Sequence, residues 1–530
     1  MRFGFGVSLL GVVLATSLAS AASAERLRSA EYKAASLKGN THLYSLEHDK
    51  SVAFFTELEK EYPHHPGPPL ARSIAIWFRE LVARDDLDLD RFISPGYFNR
   101  PADADMTVQL RSVLETQIAN QGLGQLMADV EMPLVPVLVD MQRKGIKLDE
   151  GSLHEMSRDL NLQMQQTELE LYGTIGHTVN INSPQQLSEL LFKELGLPRT
   201  KRTKTGYSTD ANSLEGLKGV HPVVDKILEY RQVSKLKSTY VDALPDMLDP
   251  ATRRIHTSYN QTGAATGRIS SNAPNLQNIP IRTELGRQVR RAFVADGAPD
   301  WVLFSADYSQ IELRVLAHMS QDPSLLDAFR RGEDIHSATA ALMFDVPINE
   351  VGAEKRRIAK VLNFGVIYGF SPHGTSQQTG FTREEGATFI ESYFAKYPGI
   401  SGYLEKVKIQ TRETQYAETL MGRRRHIPEI NASNFNVRNA AERMAINMPI
   451  QGTAADIMKI AMIRVQNRLN QENMRCKMLL QVHDELVFEV PKEEMEQLQE
   501  VCFDEMPAAM DLDVTLKVDA KWGETWGDME

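Results

Sequence analysis

Two hydrophobic rhythms run along this chain. One is short and unbroken. Trp301-Val302-Leu303-Phe304-Ser305-Ala306 ends in Asp307, and Lys477-Met478-Leu479-Leu480-Gln481-Val482 and Leu486-Val487-Phe488-Glu489-Val490 flank His483-Asp484-Glu485. Apolar runs of this length predict buried strands, the second pair joined as a hairpin. The other rhythm is helical. It predicts long helices over 152–172 and 223–244, a helix that starts at Ser183-Pro184 and stops at Gly196, and a helix beginning at Gln310. Residues 130–138 read as a short element. Between two of the helices, Arg199-Thr200-Lys201-Arg202-Thr203-Lys204-Thr205-Gly206 has no apolar residue. It is either a solvated loop or a mobile basic tip that grips a phosphate backbone.

The start of the chain follows a different pattern. Residues 3–24 carry no charge, follow Arg2 and end in Ala22-Ser23-Ala24, which is the shape of a secretory signal peptide. Two amphipathic stretches around Tyr62-Pro63-His64-His65-Pro66 then resemble one tetratricopeptide-like unit, too little to bury a repeat core alone. Asp85-Asp86-Leu87-Asp88-Leu89-Asp90 reads as a solvated acidic turn. The character changes near residue 105.

At 530 residues, three or four compact units are expected, and 42% hydrophobic with 24% charged residues is an ordinary globular mix. Cys476 and Cys502 are the only cysteines, which excludes a disulfide framework and a four-cysteine zinc site. With 59 basic and 70 acidic residues the net charge is −11, so any nucleic-acid binding must come from local basic patches.

Asp307 and Asp484 sit at ends of predicted strands. Taken separately, each is also an ordinary turn or cap residue. Brought together in one sheet, they could hold a pair of Mg²⁺ ions about 3.5–4 Å apart, suited to activating a 3′-hydroxyl and steadying a departing pyrophosphate. A second signal is sharper. Arg356, Lys360, Phe364 and Tyr368 recur every fourth residue. Each step turns about 40° on a helix, so two cations and two aromatics share one stripe, fitted to phosphates and to a sugar and base. His336 reads as a helix-start histidine; Arg423-Arg424-Arg425 and the Arg287/Arg290/Arg291 cluster read as solvated basic patches.

Together these segments resemble the family A DNA polymerases, of the bacterial DNA polymerase I type, over residues of about 106–530. The resemblance rests on Asp307-Tyr308-Ser309-Gln310-Ile311-Glu312-Leu313-Arg314, on the Arg356/Lys360/Phe364/Tyr368-Gly369 stripe and on His483-Asp484-Glu485. Thr266-Gly267-Arg268-Ile269-Ser270-Ser271, Pro274-Asn275-Leu276-Gln277-Asn278-Ile279-Pro280 and Gln451-Gly452-Thr453-Ala454-Ala455-Asp456 add to it.

The resemblance implies an α+β right-hand fold: lead-in 106–145, thumb 146–250, palm 251–319 and 439–530 with an antiparallel sheet, helical fingers 320–438. It implies two Mg²⁺ ions on Asp307 and Asp484, with Glu485 an accessory acid. Arg356, Lys360 and His336 would hold the triphosphate, Lys360 counting also among the catalytic residues. Gln310, Phe364 and Tyr368 would line the rest of the deoxynucleotide site. Glu312 would be a steric gate against a 2′-hydroxyl, and Phe364 in place of tyrosine implies poor use of dideoxynucleotides. Arg268, Asn278, Arg443, Asn447, Gln451 and His483 would contact primer-template DNA. The expected partners are that DNA and deoxynucleoside triphosphates, with a monomeric protein, no stable membrane association, and work in replication and repair at the nucleoid.

Two departures follow. Asp129-Val130-Glu131 imitates an exonuclease motif, but only about 105 residues precede the resemblance, so no exonuclease activity is expected. The leader conflicts with a cytoplasmic enzyme. It is ignored by the export machinery, or targets an organelle, or belongs to an unrelated exported helical segment joined to the rest; the sharp break favours the last. The nearest rival among enzymes is a single-subunit RNA polymerase, against which Glu312 argues. The rival from another class is an exported interaction protein with a polymerase-like passenger.

Overall fold

A computed structural model describes residues 114–529 apart from 204, 205, 282, 368, 370 and 371. The leader 1–24, the helical pair within 25–105 and the first residues of the 106–145 segment lie outside the described residues. The chain divides into two compact units, Met1–Met127 and Ala128–Glu530. The described stretch of the first carries the short helix Gly124–Leu126. Everything below concerns the second.

That unit opens with helix α1 (Met132–Lys144), not the short element expected over 130–138. Leu134, Val137, Leu138 and Met141 are buried at helical spacing, and that stripe outweighs Pro136 within the helix. Helix α2 (Glu150–Ile175) is capped by Asp149, which accepts from the Ser152 amide at 3.2 Å. Ser183 caps the helix that starts at Pro184, and Gly196 takes the positive φ of +62° that stops the following turn. Helix α3 (Pro222–Leu236) packs along α2. The single helix expected over 223–244 is broken: a π turn occupies Lys237–Val241, and Ala243–Asp246 forms a separate short helix. Pro245 has no N–H to offer the Val241 carbonyl. The basic tip is not a bare loop. Arg202–Thr203 pairs with Gly206–Tyr207, and the Arg199 guanidinium stands 5.4 Å from the centre of the Tyr207 ring.

Next comes strand β1 (Trp301–Tyr308), then helices α4 (Ile311–Ser320), α5 (Ile335–Phe344), α6 (Ala353–Ile367) and α7 (Pro398–Thr414). A hairpin of β2 (Tyr416–Glu418) and β3 (Arg424–His426) leads to helix α8 (Phe435–Gln471). Strands β4 (Lys477–Val482), β5 (Glu485–Pro491) and β6 (Val518–Gly523) complete the unit's main sheet. Its order is β4-β5-β1-β6, antiparallel throughout.

Both faces of this sheet are covered. Phe304, Ala306, Tyr308, Leu486 and Phe488 join the core under α4 and α8, while Leu303, Leu480, Val482 and Val487 join a second core with Leu153, Phe293 and Trp526. Burial on both faces explains why the strands read as continuous apolar runs rather than alternating ones. Phe304 and Phe488 are paired in register, with ring centres 6.2 Å apart, edge to face. Among the described residues, no helix is long and apolar enough to cross a membrane.

Candidate active site

Strand register assembles the first half of the site. Asp307, near the end of β1, faces Glu485 on β5 and Asp519 on β6. Residues directly opposed across antiparallel strands share a face, so three carboxylates stand in one row. Asp484 joins them from the β4–β5 turn, whose backbone is tied to β1 by the Tyr308 amide donating to the Asp484 carbonyl at 3.0 Å. His483 makes that turn possible by adopting φ +56°.

The electrostatics follow from the crowding. Loss of surrounding water, and then the charges of Glu485, Asp484 and Asp519, push the Asp307 carboxyl up to about 7. Burial also raises Asp484, partly offset by Arg268 and His483. Glu485 accepts from the Ser305 hydroxyl at 2.6 Å, and Asp519 from the Ser309 hydroxyl. Arg268 bridges to the buried carboxylate of Glu312, at the start of α4. Beside them lies a cavity of about 60 Å³, lined by Arg268, Gln277, Lys459, Gln481, His483 and Asp484 among others. Gln310, which precedes α4, takes φ +57°.

The second half lies on two packed helices, α5 and α6. Arg356 and Lys360 are both exposed on α6, and Phe364 is half-buried. His336 is buried at the start of α5, its ring centre 5.6 Å from that of Phe364. Burial, together with the nearby charges of Lys360 and Arg356 and against that of Asp334, pushes His336 down to about 4. The ring is therefore neutral near pH 7. Asn363 Nδ2 lies 3.1 Å from its Nδ1, which accepts, so the proton is on Nε2. Tyr368 lies outside the described residues.

Of the remaining expected residues, Arg443, Asn447 and Gln451 follow one another at four-residue spacing along α8. Arg443 is exposed, and Asn447 Oδ1 is a buried acceptor with no partner among the described residues. A Cβ on Gly369, just past α6, would run into the Arg443 side chain, so the end of the cationic helix abuts this row. Asn278 is exposed.

Some basic residues depart from the solvated reading. Arg423 is half-buried: it donates to Asp456 at 2.7 Å and also bridges to Glu131. Arg290 is buried, its guanidinium 3.9 Å from the centre of the Trp526 ring. Neither partner is near in sequence, so a local reading could not show the burial. Two groups were missed for the same reason. Asp519 reaches the carboxylate row only through strand pairing, and Glu131 and Lys459 meet at 2.8 Å across the fold. Asp334, which pairs with Arg356 across 22 residues of sequence, was not singled out in the sequence.

A family model described as DNA polymerase family A matches residues 150–528. DNA polymerase I of Geobacillus stearothermophilus is 48% identical over 419 residues, which is 79% of this chain and 48% of that protein. The thermostable DNA polymerase I of Thermus aquaticus is 49% identical over 403 residues, 76% of this chain and 48% of that protein. The chain thus spans about half the length of the curated relatives it matches. A solved structure, the POL domain of Pol1 from M. smegmatis in complex with DNA primer-template and dNTP, aligns with a TM-score of 0.77 at 44% identity, covering 80% of this chain and 75% of that one. The α+β architecture is the right-hand polymerase fold, and the chain belongs to DNA polymerase family A.

Proposed function

We propose that this protein extends a DNA primer by template-directed addition of deoxynucleotides. The observation that carries the reading is the row of crowded carboxylates around Asp307, with Asp484 beside it, in a chain that also presents two cations and an aromatic on a single helix.

Polymerases of this family are generally dependent on divalent metal, and the donor set here suits Mg²⁺. Carboxylate oxygens are hard ligands, and a group of acids that repel one another is relieved by a cation. Asp307 and Asp484 would hold two such ions, which supply charge neutralisation for an in-line phosphoryl transfer. Arg356 and Lys360 would bind the triphosphate. His336, neutral with its proton on Nε2, would donate a hydrogen bond beside them. Phe364 would pack near the sugar, with Tyr368 and Gln310 completing the nucleotide site. Glu312 would hold the place a 2′-hydroxyl needs, and Arg268 fixes its carboxylate. Arg268, Asn278, Arg443, Asn447, Gln451 and His483 would follow the DNA. Minor-groove acceptors are common to all correct pairs, so such contacts test shape rather than sequence.

The thumb, palm and fingers would follow 146–250, 251–319 with 439–530, and 320–438. The setting would be replication and repair at the nucleoid, by a monomer. The test is magnesium-dependent primer extension by the full chain, beside an Asp307→Ala/Asp484→Ala variant. Extension that falls on the order of 10³-fold in the variant supports the reading; equal activity in both would refute the two-carboxylate site. Efficient use of ribonucleotides would overturn the role given to Glu312.

A further inference from the structure

Asp334 has two tasks at one carboxylate. Its Oδ1 accepts from the Ser337 amide at 2.7 Å and so caps α5. The same carboxylate takes two bonds from Arg356, Nε to Oδ1 and Nη2 to Oδ2, each 2.9 Å. Burial pulls the Asp334 carboxyl up, but Arg356 and the cap bonds outweigh it and hold the group at about 2. The pair joins the start of one helix to the exposed face of the next, and α5 and α6 are packed together.

The geometry decides which part of Arg356 stays available. A guanidinium is a planar fork with five N–H donors. Asp334 occupies the Nε/Nη2 edge and leaves the Nη1/Nη2 end, where two parallel N–H groups remain. Lys360, one turn further along α6, makes no ion pair among the described residues. Of the two cations on the stripe, then, Lys360 is unpaired among the described residues and Arg356 is held in one orientation.

We propose that Asp334 is a positioning residue for the nucleotide's phosphates: it grips Arg356 by one edge so that the opposite edge is presented to them. The inference rests on the function proposed above. Its opposite is competition, in which Asp334 must let go before phosphate can bind. Two features favour positioning. Asp334 leaves the two-donor Nη1/Nη2 end open to a phosphate, and the cap bond anchors the carboxylate, so release would also uncap α5. A fork already oriented loses less freedom on binding than a mobile one.

The two readings differ in sign. Asp334→Asn keeps a cap acceptor but loses the charge and the second acceptor toward Arg356. Primer extension at varied deoxynucleotide concentration should then show KM rising about fivefold, with kcat changed less, as for loss of a charge-assisted hydrogen bond. In an Arg356→Ala background the same substitution should leave KM unchanged, because its effect passes through Arg356. Asp334→Ser, which also caps but cannot reach the guanidinium with two oxygens, should raise KM at least as far; thermal melting of each variant guards against misfolding. A fall in KM for Asp334→Asn, no change in it, or an equal rise in the Arg356→Ala background would overturn the proposal while leaving the polymerase reading intact. An unchanged KM in Arg356→Ala itself would instead overturn the phosphate-binding role of Arg356, and the proposal with it.

Discussion

Two of the acidic clusters among the described residues are built on opposite terms. Around Asp307, loss of surrounding water and then the neighbouring charges of Glu485, Asp484 and Asp519 drive the carboxyl up to about 7. Around Glu131 and Asp456 the neighbours are cations. Lys459 meets Glu131 at 2.8 Å, and Arg423 meets Asp456 at 2.7 Å and bridges to Glu131. Thr419 adds a hydroxyl to Asp456 at 2.7 Å. Burial would raise Glu131, but Lys459 and Arg423 outweigh it and hold it below the ordinary range. Two acids and two bases balance. A balanced buried cluster completes its own chemistry and serves the architecture. An unbalanced one has charge left over for something that arrives later. Burial raises Asp456 as well, against the pull of Arg423, Thr419 and Lys459; desolvation acts in both clusters, and what separates them is the charge of the neighbours, carboxylates in one and cations in the other.

The comparison breaks most visibly at activity. Asp307→Asn should cut primer extension on the order of 10³-fold. It should leave the melting temperature in metal-free buffer unchanged or higher, because a repulsion is removed. Lower stability together with retained extension would erase the contrast.

Next in size is the balanced cluster. Arg423→Ala strands Asp456 and weakens the hold on Glu131, and breaking a buried pair from one side costs about 3–5 kcal/mol. Urea denaturation should show that loss. A difference below about 0.5 kcal/mol, the range of surface substitutions, would mean the cluster is solvated after all.

A smaller effect is expected in pH. A carboxyl raised from 3.8 to about 7 makes the folded state bind more protons than the unfolded chain across that window. Asp307 therefore opposes folding increasingly as pH rises from about 4 to 7, and Asp307→Asn should remove that slope. Glu131, held low, acts in the opposite sense: its contribution is present above 4.5 and is lost as pH falls below it. Metal-free melting curves of wild type and Asp307→Asn between pH 4 and 8 would show whether the two diverge with rising pH. Parallel curves would count against the repulsion. The smallest signal is local: His336, pushed down to about 4, should show no ring titration by NMR between pH 5.5 and 8. A midpoint near 6.5 would place it in solvent.

The same contrast explains what could be read in the sequence. β1, β4 and β5 were legible because strands buried on both faces write unbroken apolar runs, and Asp307 and Asp484 stand where those runs stop. The cationic stripe was legible because helical spacing is local. The balanced cluster was not: Glu131 and Arg423 are 292 residues apart in sequence, and nothing near either residue signals the other. Asp519 was missed for the same reason, since β6 is largely exposed, writes no apolar run, and only its register with β1 brings the carboxylate into the row. The 130–138 segment misled because its prolines and dense apolar residues mask a helical stripe that shows only once one face is buried.

The sheet order also sets a timetable. β1 lies between β5 and β6, so the strand carrying Asp307 is paired on both sides by segments synthesised long after it. Contacts this far apart in sequence form late. On the ribosome, a nascent chain would carry its cationic helix and most of its helical mass well before the carboxylate row exists. The row would be complete only when β6 docks, so a chain stalled before residue 518 would carry Asp307, Asp484 and Glu485 without Asp519, and with one edge of β1 unpaired.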